Sequence, residues 1–154
     1  SLDGLLGQSV RSHKLAARAK AQRLLLQADP VTVWADAAKL RSVVDNLIGN
    51  AIKFTPSGGE IRVLLNQRDA AATIDVLDSG AGVPAEEREA IFEAFFRGRA
   101  GAFGRAEGTG LGLAIAREFT EAHGGCVEVV AGARGGHFRV TLPLRPAAPM
   151  AEAA

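Results

Sequence analysis

Asn46-Leu-Ile-Gly-Asn50-Ala-Ile-Lys53-Phe54 is the stretch on which the reading of this chain turns. Around it, Leu40, Val43, Val44, Leu47, Ile48 and Ala51 recur at helical spacing, which makes one helix face apolar and able to pack on a sheet. Asp36 offers an N-cap and Thr55-Pro56-Ser57-Gly58-Gly59 stops the run, which predicts a helix over about residues 36–54. At about 100° per residue, Asn46, Asn50 and Lys53 fall within roughly 60° of arc, at the margin of that face. Amide oxygens and an ammonium there suit a metal ion and phosphates, since Asn can give one oxygen to Mg2+, whose other positions are ordinarily phosphate and water. By itself, such a stripe is more often a solvated helix face.

Towards the N-terminus, residues 5–22 alternate polar and apolar positions with helical spacing and are rich in Ala, Arg and Lys, as in an exposed amphipathic helix. Residues 23–28 read as a short strand, Asp29-Pro30 as a turn, and residues 31–34 as a second brief β-prone run. Towards the C-terminus, residues 60–66 and 72–77 read as an antiparallel pair around the polar turn Gln67-Arg68-Asp69. A short helix over about residues 85–94 follows, then a glycine-rich, arginine-bearing segment over 97–108 that reads as a mobile loop. A helix over about 110–123 precedes two strands, 126–130 and 136–142, and an Ala/Pro-rich tail, 144–154, that reads as disordered. No internal repeat is visible. The expected fold is α+β: a two-layer α/β sandwich whose mixed, mostly antiparallel sheet has one face covered by helices.

Two further stretches carry chemistry. Asp78-Ser79-Gly80-Ala81-Gly82-Val83-Pro84 ends an apolar strand with a carboxylate and two spaced glycines. An ionised Asp there needs a donor, for which the exocyclic amino group of adenine serves, and glycine lets backbone approach a flat ring. A tight turn after a strand is an equal reading of this stretch alone. Gly108-Thr109-Gly110-Leu111-Gly112-Leu113-Ala114 opens a helix, where free N–H groups and the helix dipole form an anion site. It is neither a Walker loop nor a Rossmann fingerprint, and a flexible helix start is its plain alternative.

The order and spacing of these stretches resemble one family. The Asn46–Phe54 stretch, then Asp78-x-Gly80-x-Gly82, then Phe92-Glu-Ala-Phe95-Phe96-Arg97, then Gly108-x-Gly110-Leu-Gly112-Leu are similar to the N box, first glycine box, F box and second glycine box of the ATP-binding catalytic domain of bacterial two-component sensor histidine kinases. The resemblance covers about residues 31–143. It implies the Bergerat ATP-binding (HATPase_c) fold, shared with gyrase, heat-shock chaperone ATPases and mismatch-repair ATPases. Position by position it implies that Asp78 holds the adenine amino group, Asn50 coordinates Mg2+ with Asn46 beside it, and Lys53 and Arg97 reach phosphate oxygens. Gly80 and Gly82 would line the nucleotide. Gly108, Thr109, Gly110, Leu111, Gly112 and Leu113 would close over the triphosphate, with Phe92 and Phe95 anchoring that lid.

Within that superfamily, free-standing ATPases and anti-sigma-factor serine kinases usually carry Glu where this chain has Asn46, as general base. An amide cannot take a proton at useful pKa, and the carboxylate of Asp45 lies about 100° around the helix. The implied reaction is transfer of the ATP γ-phosphoryl group to a histidine on a separate dimerisation domain, with Asn46 and Arg97 at the reacting end. A nucleotide-binding regulatory module without phosphotransfer, or an anti-sigma-type serine kinase, is the alternative.

His13, followed by Lys14, lacks the family's acidic neighbour and proline-containing context; His123 sits at a helix end; His137, where the family often has Thr, reads as a sheet residue, a departure that touches only detail beneath the nucleotide. The phosphoacceptor segment is therefore expected before Ser1, with residues 1–22 adjoining it and 23–143 forming the catalytic domain. The expected partners are that segment and, through it, a response regulator. The fragment itself is expected to be monomeric, the parent homodimeric and anchored in the inner membrane, and this domain cytoplasmic.

Composition agrees with a local site rather than a polyelectrolyte surface. Among 154 residues, 18 Lys and Arg against 17 Asp and Glu leave a net charge of +1, which gives no reason to expect nucleic acid. One cysteine, Cys126, excludes an internal disulfide and a cysteine-rich zinc site.

Overall fold

The computed structural model describes residues 1–94, 111–132 and 134–145. Its helices are α1 (Leu2–Ala19), α2 (Ala37–Phe54) and α3 (Gly112–Ala122), and its strands β1 (Arg23–Ala28), β2 (Glu60–Arg68), β3 (Ala71–Asp78), β4 (Cys126–Val129) and β5 (His137–Pro143). The five strands form one sheet in the order β1-β2-β3-β5-β4. Among the described strands only β1 and β2 run parallel, and α2 supplies the crossover that a parallel pair requires. The other pairs are antiparallel, so the expected α+β sandwich with a mixed, mostly antiparallel sheet is the fold observed.

Alternation decides which sheet face is covered. Ile61, Val63 and Leu65 on β2, Ile74 and Val76 on β3, and Phe138, Val140 and Leu142 on β5 are buried in the core that the helices cover. Helix α2 adds Leu40, Val43, Val44, Leu47, Ile48, Ala51 and Ile52 to it. Each Leu or Ile so buried contributes about 1.5–3 kcal/mol, so α2 is held chiefly by this face.

Four expectations change. Helix α1 is amphipathic as expected, but its apolar face is not exposed: Leu2, Leu6, Val10 and Ala17 lie in the same core as α2 and the sheet. Residues 31–34 form no strand, because their hydrogen bonds go to scattered partners: Val31 O accepts from Leu2 N, and Trp34 N donates to Leu144 O. The expected helix over 85–94 is two 3-10 turns, Ala85–Glu87 and Ala90–Phe92, a stretch too short to hold an α-helix on its own. Finally, Leu144 does not belong to a free tail. Its N–H donates to Ala70 O and its side chain packs on the core. Residues 146–154, the rest of that expected tail, lie outside the described residues.

Candidate nucleotide site

Three separate segments meet where β3 ends. Asp78 closes β3, and its Oδ1 accepts from Gly80 N at 2.8 Å and from Gly136 N at 3.1 Å. Backbone pairing locks the same corner, with Asp78 N donating to Gly136 O at 2.9 Å. The carboxylate is thus aimed by main chain on two sides, both of these bonds falling on Oδ1. Glycine is required around it. A Cβ on Gly136 would collide with Asp78 Oδ2, and one on Gly135 with Asp78 O. A Cβ on Gly80 would stand 2.8 Å from Phe54 O, so the first glycine-rich turn lies directly against the end of α2. Gly82 has φ +79°, in the left-handed region that favours glycine.

The polar stripe of α2 sits between this corner and the start of α3. Asn46 and Asn50 are half-buried, and Lys53 is exposed in the last turn. A Cβ on Gly112 would stand 2.9 Å from Asn46 Oδ1, so Asn46 packs against the first residue of α3. Leu111 precedes that helix, and Leu113 is buried beneath it. The structure therefore joins Asn46 to Gly112 and the end of α2 to Gly80. Arg97, Gly108, Thr109, Gly110 and Phe95 lie outside the described residues. Phe92 is buried and meets Phe138 edge to face, with ring centroids 6.1 Å apart.

The carboxylate beside Asn46 is turned elsewhere. Asp45 Oδ1 accepts from Ser9 Oγ on α1 at 2.5 Å and from Arg41 Nε at 3.0 Å. The three histidines have structural partners. His13 Nδ1 lies 2.8 Å from Ser9 O. His123 caps α3, and its Nε2 accepts from Asp36 N, tying the end of α3 to the start of α2. His137 Nε2 lies 2.6 Å from Asp75 Oδ1, which also accepts from Arg139 Nε. These three alternate with Val76, Phe138 and Val140, and so take the sheet face opposite the helices.

Gly135 and Gly136 build the corner around Asp78, and the sequence reading passed over them. Their only signal was a glycine pair before a strand, and the carboxylate they surround is nearly sixty residues away in sequence.

A carboxylate at a strand end, glycine turns against it and an amide-bearing helix face beside a glycine-started helix define an ATP-binding α/β sandwich. The family model described as "Histidine kinase-, DNA gyrase B-, and HSP90-like ATPase" matches residues 35–146, and this chain belongs to that family. A relative in Mycobacterium sp. (strain KMS), signal transduction histidine-protein kinase/phosphatase MprB, is 43% identical over 124 residues, covering 76% of this chain and 24% of its own length. Among solved structures, the catalytic domain of histidine kinase ThkA superposes with a TM-score of 0.83 at 28% identity, covering 94% of this chain and 95% of that one. Full-length ShkA in complex with AMPPNP superposes with a TM-score of 0.81 at 32% identity, covering 96% of this chain and 31% of that one. The chain spans between 8% and 26% of the length of the first curated relatives it matches.

Proposed function

We propose that this chain is the ATP-binding catalytic domain of a sensor histidine kinase, and that it transfers the γ-phosphoryl group of ATP to a histidine on a separate dimerisation segment of its parent protein. One observation carries the choice of phosphotransfer over hydrolysis: the Asn46 amide faces the start of α3, while the adjacent carboxylate of Asp45 is occupied by Ser9 and Arg41. No carboxylate on that stripe can serve as base for water, whereas an incoming imidazole brings its own nucleophilic nitrogen.

The residues present fit the nucleotide. Asp78 accepts from the adenine amino group, its carboxylate being pre-aimed by Gly80 and Gly136. Gly80 and Gly82 line the base. Asn50 would supply an amide oxygen to Mg2+, with Asn46 beside it, and Lys53 would reach phosphate. Arg97 and the Gly108–Leu113 stretch keep the phosphate-side roles that the resemblance assigns. The metal would neutralise charge on the phosphate oxygens. In the transfer, the bond from the γ-phosphorus to the bridging oxygen breaks, a bond to the imidazole nitrogen forms, ADP leaves and the imidazole's other nitrogen gives its proton to solvent.

MprB and ThkA, which carry this domain, support the kinase reading. The partners proposed are the parent's dimerisation segment and, through it, a response regulator; ThkA has been solved with response regulator protein TrrA. Among the described residues no helix is long and apolar enough to cross a membrane. We place the domain on the cytoplasmic side of a membrane-anchored, homodimeric parent, with the fragment itself monomeric.

The test is reconstitution. Mixed with the parent's histidine-bearing segment and γ-labelled ATP with Mg2+, the chain should move label onto that segment as phosphohistidine. Nucleotide binding without labelling of the histidine would overturn the kinase reading and leave a binding module.

A further inference from the structure

The last turn of α2 carries Lys53, follows Asn50 by one turn and ends at Phe54, whose carbonyl lies against Gly80. A helix end leaves carbonyls without intrahelical partners, and those groups set how firmly the turn is held. Here Thr55 N satisfies Ala51 O, and Ile52 O and Lys53 O are met from outside the helix. Lys20 Nζ donates to Ile52 O at 2.8 Å, Lys53 O at 3.2 Å and Thr55 O at 3.0 Å. Gln22 Nε2, on a residue that is 6% exposed, donates to Ile52 O at 2.9 Å and Thr55 O at 2.7 Å. Two side chains from the α1–β1 junction thus form a five-bond cap, and the ammonium stands at the negative end of the helix dipole.

The junction is shaped for this task. Ala21, between the two, has φ +52°, a left-handed conformation uncommon for a residue with a Cβ. The tight turn lets Lys20 and Gln22, which flank it, both reach the end of α2. Backbone bonds close the same assembly, with Gly58 N donating to Lys20 O and Arg23 N to Gly59 O.

We propose that Lys20 and Gln22 are positioning residues for the nucleotide, holding the last turn of α2, and with it Asn50, Lys53 and the Phe54–Gly80 contact, in the register that receives Mg-nucleotide. This rests on the nucleotide-binding reading above. It also makes α1 more than a cover for the core, because the junction at its C-terminal end sets the site.

The experiment is calorimetric titration of the 154-residue chain with ADP in the presence of Mg2+, well below the melting midpoint, joined to amide exchange. Lys20→Met should weaken binding about tenfold, the loss expected when charge-assisted bonds are removed. It should also speed exchange in the last turn of α2 without a matching change at Val63 and Ile74 in the sheet. Lys20→Arg, which can donate to the same carbonyls, should restore affinity to within about threefold. If Lys20→Met does not fold, Gln22→Met, which removes two of the five bonds, is read in the same way. A folded variant with a lower melting midpoint but wild-type affinity shows a purely structural cap and overturns the proposal. Failure of the wild-type chain itself to bind overturns the nucleotide reading beneath it.

Discussion

Asp78 shows how one carboxylate can be both structural and poised. Its Oδ1 is taken by Gly80 and Gly136, so Asp78→Asn keeps an oxygen for those N–H groups and changes the other atom from acceptor to donor. The fold should survive, while affinity for adenine nucleotides falls by about 10- to 100-fold, because a donor then faces the adenine amino group. Titration with ADP checks this, and unchanged affinity would refute the role given to Asp78. Ala21 offers the opposite case. Ala21→Gly relieves a left-handed alanine at the end of α1 and should raise stability by about 0.5–1 kcal/mol, read from denaturant melts. Gly135→Ala drives a Cβ into Asp78 O and should lower stability by about 1–3 kcal/mol, seen as a drop in melting temperature.

Among the elements, α2 was legible because its determinants are local. Asp36 caps it by accepting from Lys39 N, its apolar period is regular, and Thr55 closes it; the helix runs from Ala37 to Phe54, close to the expected 36–54. Ile48→Ala, at a fully buried position of that face, should reduce stability by about 2–5 kcal/mol, measured by urea unfolding. Residues 31–34 misled for a complementary reason. β-propensity shows that a segment tolerates an extended backbone, but a strand exists only where a ladder partner lies alongside, and among the described residues none pairs with it. The turn between β2 and β3 moved for a similar reason: pairing continues to Arg68 and Ala71, and the bend is confined to Asp69 and Ala70, with Asp69 at φ +53°.

At the scale of the whole molecule, the place of α1 changes most. Ser9 binds Asp45, Leu2, Leu6, Val10 and Ala17 fill the core, and the α1–β1 junction caps α2. A chain starting at residue 23 loses all of these at once. It should fail to show a cooperative thermal transition by circular dichroism, whereas a separable N-terminal segment would leave that transition intact.

The amino-acid sequence by itself determined the mixed sandwich and the stretch that forms α2. It also determined the membership that residues 46–54, 78–82 and 108–113 announce together, because caps, periodicity and motif spacing are properties of contiguous residues. Only the tertiary structure decided that α1 belongs to the core, that Gly136 is the second donor to Asp78, and that Lys20 and Gln22 close the end of α2. Those contacts join residues from 30 to 58 positions apart. Such pairs depend on strand register and helix packing, in which any one segment is a single partner and its own sequence does not specify the other.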